Sequence, residues 1–281
     1  MQPSQRLVQA ITRRLIPEHE LARLHEVAHR DAGQGYDEFG MHPDGVVLAA
    51  ALLRGPYRRY FRVESSGAEN LPARGPGIVV ANHSGMLPVD AAMLYADVLG
   101  FTDPPRVLRA VADHFVLRLP WFSTLVARAG VIGGARDSCA RLLERGELLL
   151  IFPEGAPGIG KPRALRYHLA EWRVGHAELA IRHRAPVIPA AVIGAEEQWP
   201  ELFKLRGLHP FGAPYLPIPL TPLPLPVRYH IRYGEPIELG RRYAPEDADR
   251  PAVVAAAAAE VRVAVEALIE QGLAARRGVF A

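Results

Sequence analysis

The sequence predicts an α/β protein: a layered mixed sheet flanked by helices, with a helical N-terminal arm and a C-terminal helix. Strand-like and helix-like segments alternate between residues 60 and 240, the pattern of a sheet covered by helices. The 281 residues are 49% hydrophobic and 22% charged, enough to bury a sizeable core without a metal or disulfide staple. The only cysteine is Cys139, so no internal disulfide can form and a reducing compartment fits.

Residues 1–59 read as the arm. Leu7, Ile11 and Leu15 recur every four residues, and Leu21, Leu24 and Ala28 extend the apolar pattern. Residues 32–45 carry the glycines and turn formers of a loop. The apolar helix GVVLAAALLRGPYRRY that follows ends in arginines and tyrosines, which suits a membrane interface and also a helix packed on the core. No secretory apolar region opens the sequence, and the clean apolar run Gly45–Leu53 has nine residues, against roughly twenty for a span. The expected location is therefore peripheral, on the cytoplasmic face of a membrane.

Within 60–240 the expected strands are YFRVE (60–64), GIVVA (77–81), RVLRAVA (106–112), ELLLIF (147–152), VIPAAVI (187–193) and VRYHIRY (227–233). Helix-length patterns separate them at 90–100, 114–130, 137–147 and 171–184. Pro210–Val227 is uncharged and holds seven prolines, which exclude a regular helix; it reads as an extended connector, the lining of an acyl pocket or a lipid contact. The tail, 241–281, contains an alanine-rich helix from Pro251 to about Leu273.

Net charge is only +3, and of 33 basic residues only Lys161 and Lys204 are lysine. That bias fits a GC-rich genome as well as phosphate recognition by planar guanidinium groups. Arginine pairs are scattered, with no basic helix, so nucleic acid is not an expected partner.

Three motifs compete for the chemistry. His25-Glu26-Val27-Ala28-His29 fits a helical zinc pattern, but it lies in the polar arm with no third histidine behind it, so no metal is expected. Gly155 to Lys161 follows a strand like a phosphate loop, yet Pro162 stands where a magnesium-binding hydroxyl belongs. Asn82-His83-Ser84-Gly85-Met86-Leu87-Pro88-Val89-Asp90 directly follows GIVVA. A histidine at a strand end, with a carboxylate to set its tautomer, is what a general base needs.

Taken with three later blocks, this motif resembles the glycerolipid acyltransferase family that includes bacterial 1-acyl-glycerol-3-phosphate acyltransferase. Asn82-His83…Asp90 is similar to that family's N-H-x4-D, and Gly130-Val131-Ile132-Gly133-Gly134-Ala135-Arg136 to its G-x-I-F-I-D-R. Phe152-Pro153-Glu154-Gly155 resembles the start of its F-P-E-G-T-R-S, and Ala185-Pro186-Val187-Ile188-Pro189 its late V-P block. The resemblance covers about residues 60–235 and implies a glycerol-3-phosphate acyltransferase-like fold. It makes His83 the base that deprotonates an acceptor hydroxyl and Asp90 its support. Asn82, Ser84, Arg136, Glu154 and Gly155 become expected substrate contacts. No cofactor is implied; the donor would be acyl-CoA or acyl-carrier protein and the acceptor a lysophosphatidate-like glycerolipid at a membrane surface.

Two departures stand out. Six residues separate His83 from Asp90 instead of four, with Pro88 at the usual aspartate position. Seven positions along a regular helix rise about 10 Å, so the expectation is that Gly85 and Pro88 form a loop that restores the contact. In the third block Ala156-Pro157-Gly158 replaces T-R-S, and Lys161, Arg163 or Arg166 becomes the expected substitute cation. These features look like a divergent bacterial branch and loosely resemble neutral-lipid acyltransferases. The alternatives are transfer to diacylglycerol or another lipid alcohol, and acyl-thioester or lipid hydrolysis by the same His83.

Overall fold

A computed structural model describes residues 11–12, 14–84, 87–159, 161–205 and 216–281. Leu7 of the arm, Gly85 and Met86 of the strand-end motif, Gly160 of the glycine loop and residues 210–215 of the proline-rich stretch lie outside the described residues.

The arm contributes α1 (Glu18–Leu24) and α2 (Pro43–Gly55), the latter running into a π-turn at Pro56–Tyr60. The arm's apolar stripe holds at Leu21 and Leu24, which pack on the core, but shifts by one position on either side: Leu15 and Ala28 are exposed while Ile16 and Val27 are buried. Helix α2 starts inside the expected loop because Pro43 occupies its first turn and the His42 ring accepts the Asp44 N–H. The buried Asp37 carboxylate takes the Phe39 and Met41 N–H groups and pairs with Arg109 at 2.7 Å, tying the preceding loop to the sheet.

Then follow β1 (Glu64–Ser66), β2 (Gly77–Ala81), α3 (Val89–Phe101), β3 (Leu108–Ala112), α4 (Phe122–Arg128), β4 (Ile132–Gly133), α5 (Arg136–Glu144) and β5 (Leu148–Ile151). The chain continues with a short α6 (Gly155–Ile159), α7 (Gly175–Arg182), β6 (Val187–Ile193), β7 (Glu201–Leu205), β8 (Leu216–Pro219) and β9 (His230–Tyr233). Helices α8 (Leu239–Arg242) and α9 (Pro251–Ala275) complete it.

Seven strands form one sheet in the order β1-β9-β6-β2-β5-β3-β4. All neighbours are parallel except β6 and β9. The alternation of strand side chains explains the layers. Val79, Leu150 and Val192 face one core with Val47 of α2 and Leu94 of α3. Ile78, Val80 and Leu149 face the other with Leu142 of α5, Ile181 of α7 and Val261 of α9. The expected α/β architecture is therefore present as a mostly parallel sheet between two helical layers. Expectation and structure part at the edges: Tyr60 ends the π-turn and β1 begins only at Glu64, while the connector before β9 includes the β7–β8 hairpin.

Cys139 is buried on α5, and burial pushes its thiol up to about 11, so it packs and does not react. His176 on α7 is buried with neither ring nitrogen hydrogen-bonded, and burial lowers its pKa from 6.5 to about 4. Between those values the unfolded chain binds a proton that the folded chain refuses. Stability is therefore expected to fall by about 1.4 kcal/mol for each unit by which pH drops through that window. Urea unfolding of wild type and His176→Phe checks this; equal slopes in both would refute it.

Candidate active site

The candidate site sits at the carboxyl end of the central strand β2, where open α/β sheets commonly bind ligands. Asn82 locks that strand end: its side chain accepts the Val192 N–H at 2.8 Å and donates to the Val192 carbonyl at 3.1 Å on β6. His83 follows at once. Its Nδ1 lies 2.8 Å from Asp90 Oδ2, so the two side chains meet despite the longer His–Asp spacing. Pro88 caps α3, which puts Asp90 in the first turn of that helix. There its buried carboxylate also accepts the Ser84 and Ala91 N–H groups, each at 2.8 Å.

His83 is held from two further sides. Its ring stacks on Phe152, with centroids 4.0 Å apart and planes 17° apart, and the backbone N–H of His83 donates to Glu154 Oε1 at 2.9 Å, fixing the strand end that carries it. With Asp90 ionised, Nδ1 carries the proton and Nε2 keeps its lone pair. Nε2 makes no hydrogen bond among the described residues.

His83 lines a cavity of about 290 Å³ walled by α2, α3, α4 and β3. Leu52, Leu53, Ala91, Phe122, Val126 and Phe152 typify its apolar wall. Among the described lining residues the polar side chains are His83, Asp113 and Tyr95, whose hydroxyl is committed to the Ala129 carbonyl. The space suits a hydrocarbon chain ending at the histidine.

The expected site residues divide. Gly155 lines the cavity with His83, at φ +57°. Asn82, Ser84 and Glu154 do not line it; they hold the histidine and its aspartate from behind, and all three are buried. Lys161, the expected substitute cation, already has partners within the chain. Its ammonium is buried between Glu154 and Glu196, at 3.1 and 2.9 Å, and donates to the His168 carbonyl at 3.2 Å. Arg136 points to solvent beside Glu178 and does not line the cavity. The zinc pattern fails for a local reason. Helix α1 ends at Leu24, so His25 and His29 share no helix face and that stretch is no solvated helix.

Sequence reasoning missed Glu196 and Arg173. Burial raises the Glu196 pKa and Lys161 pulls it back down; no local motif announces a pairing across 35 positions. Arg173 sits over Gly155, where an added Cβ would stand 3.0 Å from its guanidinium. That contact comes from the return of the chain after α6.

Comparison with known proteins agrees with this geometry. The acyltransferase family model matches residues 62–193, spanning β2, α3, β5 and β6. A Mycobacterium tuberculosis protein of uncharacterized function is 40% identical over 255 residues, covering 87% of this chain and 71% of its own length. A bovine protein named "DGAT1/2-independent enzyme synthesizing storage lipids" is 32% identical over 232 residues, covering 79% of this chain and 63% of its own. The crystal structure of a 1-acyl-sn-glycerophosphate acyltransferase from Thermotoga maritima superposes with a TM-score of 0.53 at 18% identity. It covers 92% of this chain and 89% of its own, and so shares the fold. A strand-end histidine and helix-borne aspartate lie inside the matched region of a layered α/β scaffold common to that enzyme, and over residues 62–193 the chain is a member of the acyltransferase family.

Proposed function

We propose that this acyltransferase moves a fatty acyl group from a thioester donor to the hydroxyl of a glycerolipid, with His83 as general base. The carrying observation is the 2.8 Å His83–Asp90 contact at the end of an apolar cavity. Nε2 takes the acceptor's hydroxyl proton as its oxygen attacks the thioester carbonyl. The C–O bond forms, the C–S bond breaks, and the imidazolium returns the proton to the leaving thiolate. Asp90 holds the tautomer and steadies the transient cation. The donor is coenzyme A or a carrier protein, and the work is done at the cytoplasmic face of a membrane.

For the acceptor we favour an alcohol with little head charge, such as diacylglycerol. Lys161 is already neutralised by two carboxylates and Arg136 stands off the cavity. The name of the bovine relative, which concerns storage lipids, points the same way. One observation favours a lysophosphatidate-like acceptor instead: the Arg173 guanidinium over Gly155.

Thiol release from palmitoyl-CoA, with each acceptor, separates these readings. Diacylglycerol-dependent release unchanged in Arg173→Ala is the expected result. A lysophosphatidate preference that disappears in Arg173→Ala, through an increase in KM of about tenfold or more, would assign the anionic acceptor. Equal release without any acceptor would make the protein a hydrolase.

A further inference from the structure

We propose that the outer rim of the cavity is a docking surface for an anionic lipid bilayer, with Trp121 as the inserted anchor. The inference rests on the lipid acceptor proposed above and says where such a substrate enters.

The first ground is continuity between the cavity and the outside. Leu52 of α2 and Phe122 and Leu125 of α4 line the cavity and are also exposed at the surface. The apolar wall beside His83 thus runs without a break to the outer face. A water-soluble substrate would not need that, whereas a lipid leaving a bilayer would meet hydrocarbon-like surface all the way.

Trp121 is the second. It directly precedes the two α4 residues of this rim and is 89% exposed. It occupies the apex of a three-residue turn closed by the Phe122 N–H on the Pro120 carbonyl at 2.7 Å, with φ +63° and ψ −44°. That is the strained form of the γ-turn, which a tryptophan rarely adopts. Among the described residues nothing covers the ring. An indole, with an apolar body and one N–H, fits the boundary between headgroups and acyl chains.

Charge is the third, and it selects the partner. From Gly45 to Val63 the chain has Arg54, Arg58, Arg59 and Arg62 and no acidic residue. From His114 to Ala135 it has Arg118 and Arg128, again with no acidic residue. These two segments supply α2, its π-turn, the turn at Trp121 and α4. Arg54 and Arg58 share Glu20 from the arm, whereas Arg59 and Arg118 have no ion-pair partner among the described residues. A cationic, aromatic and apolar surface complements anionic headgroups over acyl chains.

The test is co-flotation with vesicles of phosphatidylcholine alone or mixed equally with phosphatidylglycerol. Wild type is expected to float with the anionic vesicles. Trp121→Ala and the double variant Arg59→Glu, Arg118→Glu are each expected to weaken that partition by about tenfold or more. None of these three residues lines the cavity, so turnover of a soluble short-chain thioester with a monomeric short-chain acceptor should be unchanged in the variants. Partition of either variant equal to wild type would overturn the proposal. So would a concentration-dependent dimer that Trp121→Ala abolishes, since a second copy would then cover the rim. Vesicle binding that depends on these residues in a protein without turnover would support the surface and refute the acyl-transfer reading.

Discussion

Replacing His83 with alanine is expected to lower acceptor-dependent thiol release by about 10²- to 10⁴-fold, the usual contribution of a positioned general base. The reason lies in how little else at the site can take a proton. Of the other described ionisable groups lining the cavity, Tyr95 is committed to a backbone carbonyl and burial raises its pKa, while Asp113 is an exposed carboxylate with no partner that makes it a stronger base. Asp90→Asn should give a smaller loss: an amide oxygen at the Oδ2 position can still accept from the His83 ring and the Ser84 N–H, but a neutral amide no longer stabilises an imidazolium. Both variants should remain folded, since the Asn82–Val192 bridge that closes the strand end does not involve them. A His83→Ala variant that is folded by circular dichroism and keeps wild-type turnover would place the chemistry elsewhere.

Lys161→Met is expected to cost about 3–5 kcal/mol of stability, as when one partner of a buried ion pair is removed. Two carboxylates, Glu154 and Glu196, would then face each other without their shared cation. Glu196 is already held above its ordinary pKa by burial, with Lys161 the main opposing influence. Without Lys161 its folded pKa rises further above the unfolded value. The defect should therefore be small below the unfolded pKa of a glutamate and grow as pH rises through the folded one. Because Glu154 also holds the His83 backbone N–H, turnover should fall with stability. Adding Glu154→Gln and Glu196→Gln to Lys161→Met should restore much of the stability, since no uncompensated charge then remains. Urea unfolding across pH measures all of this; a loss below about 1 kcal/mol at neutral pH would show the pair to be solvated.

The same lysine shows why part of the site was hidden in the sequence. A lysine after a glycine-rich stretch looks like a phosphate ligand when only its neighbours along the chain are visible. Its real partners, Glu154 and Glu196, lie on either side of the returning segment that ends in α7. Arg136 is the converse case: its motif position was legible, but at the start of α5 it points to solvent beside Glu178. Arg173 could not be found at all, because nothing in its local sequence says that the chain passes back over Gly155.

What the sequence determined by itself was the part governed by local physics. GIVVA and VIPAAVI became β2 and β6 with the expected bounds, because runs of branched apolar residues between turn formers fit a strand buried on both faces. The His–Asp pair was legible for a similar reason: a strand end and the first turn of the next helix lie close whatever the rest of the chain does. Only the tertiary structure decided which polar groups face the cavity and which are spent holding it open. It also decided that the outer side of the apolar wall, at Leu52 and Phe122, meets solvent and not core. Direction and burial of a side chain depend on segments far away in sequence, and periodicity carries no record of them.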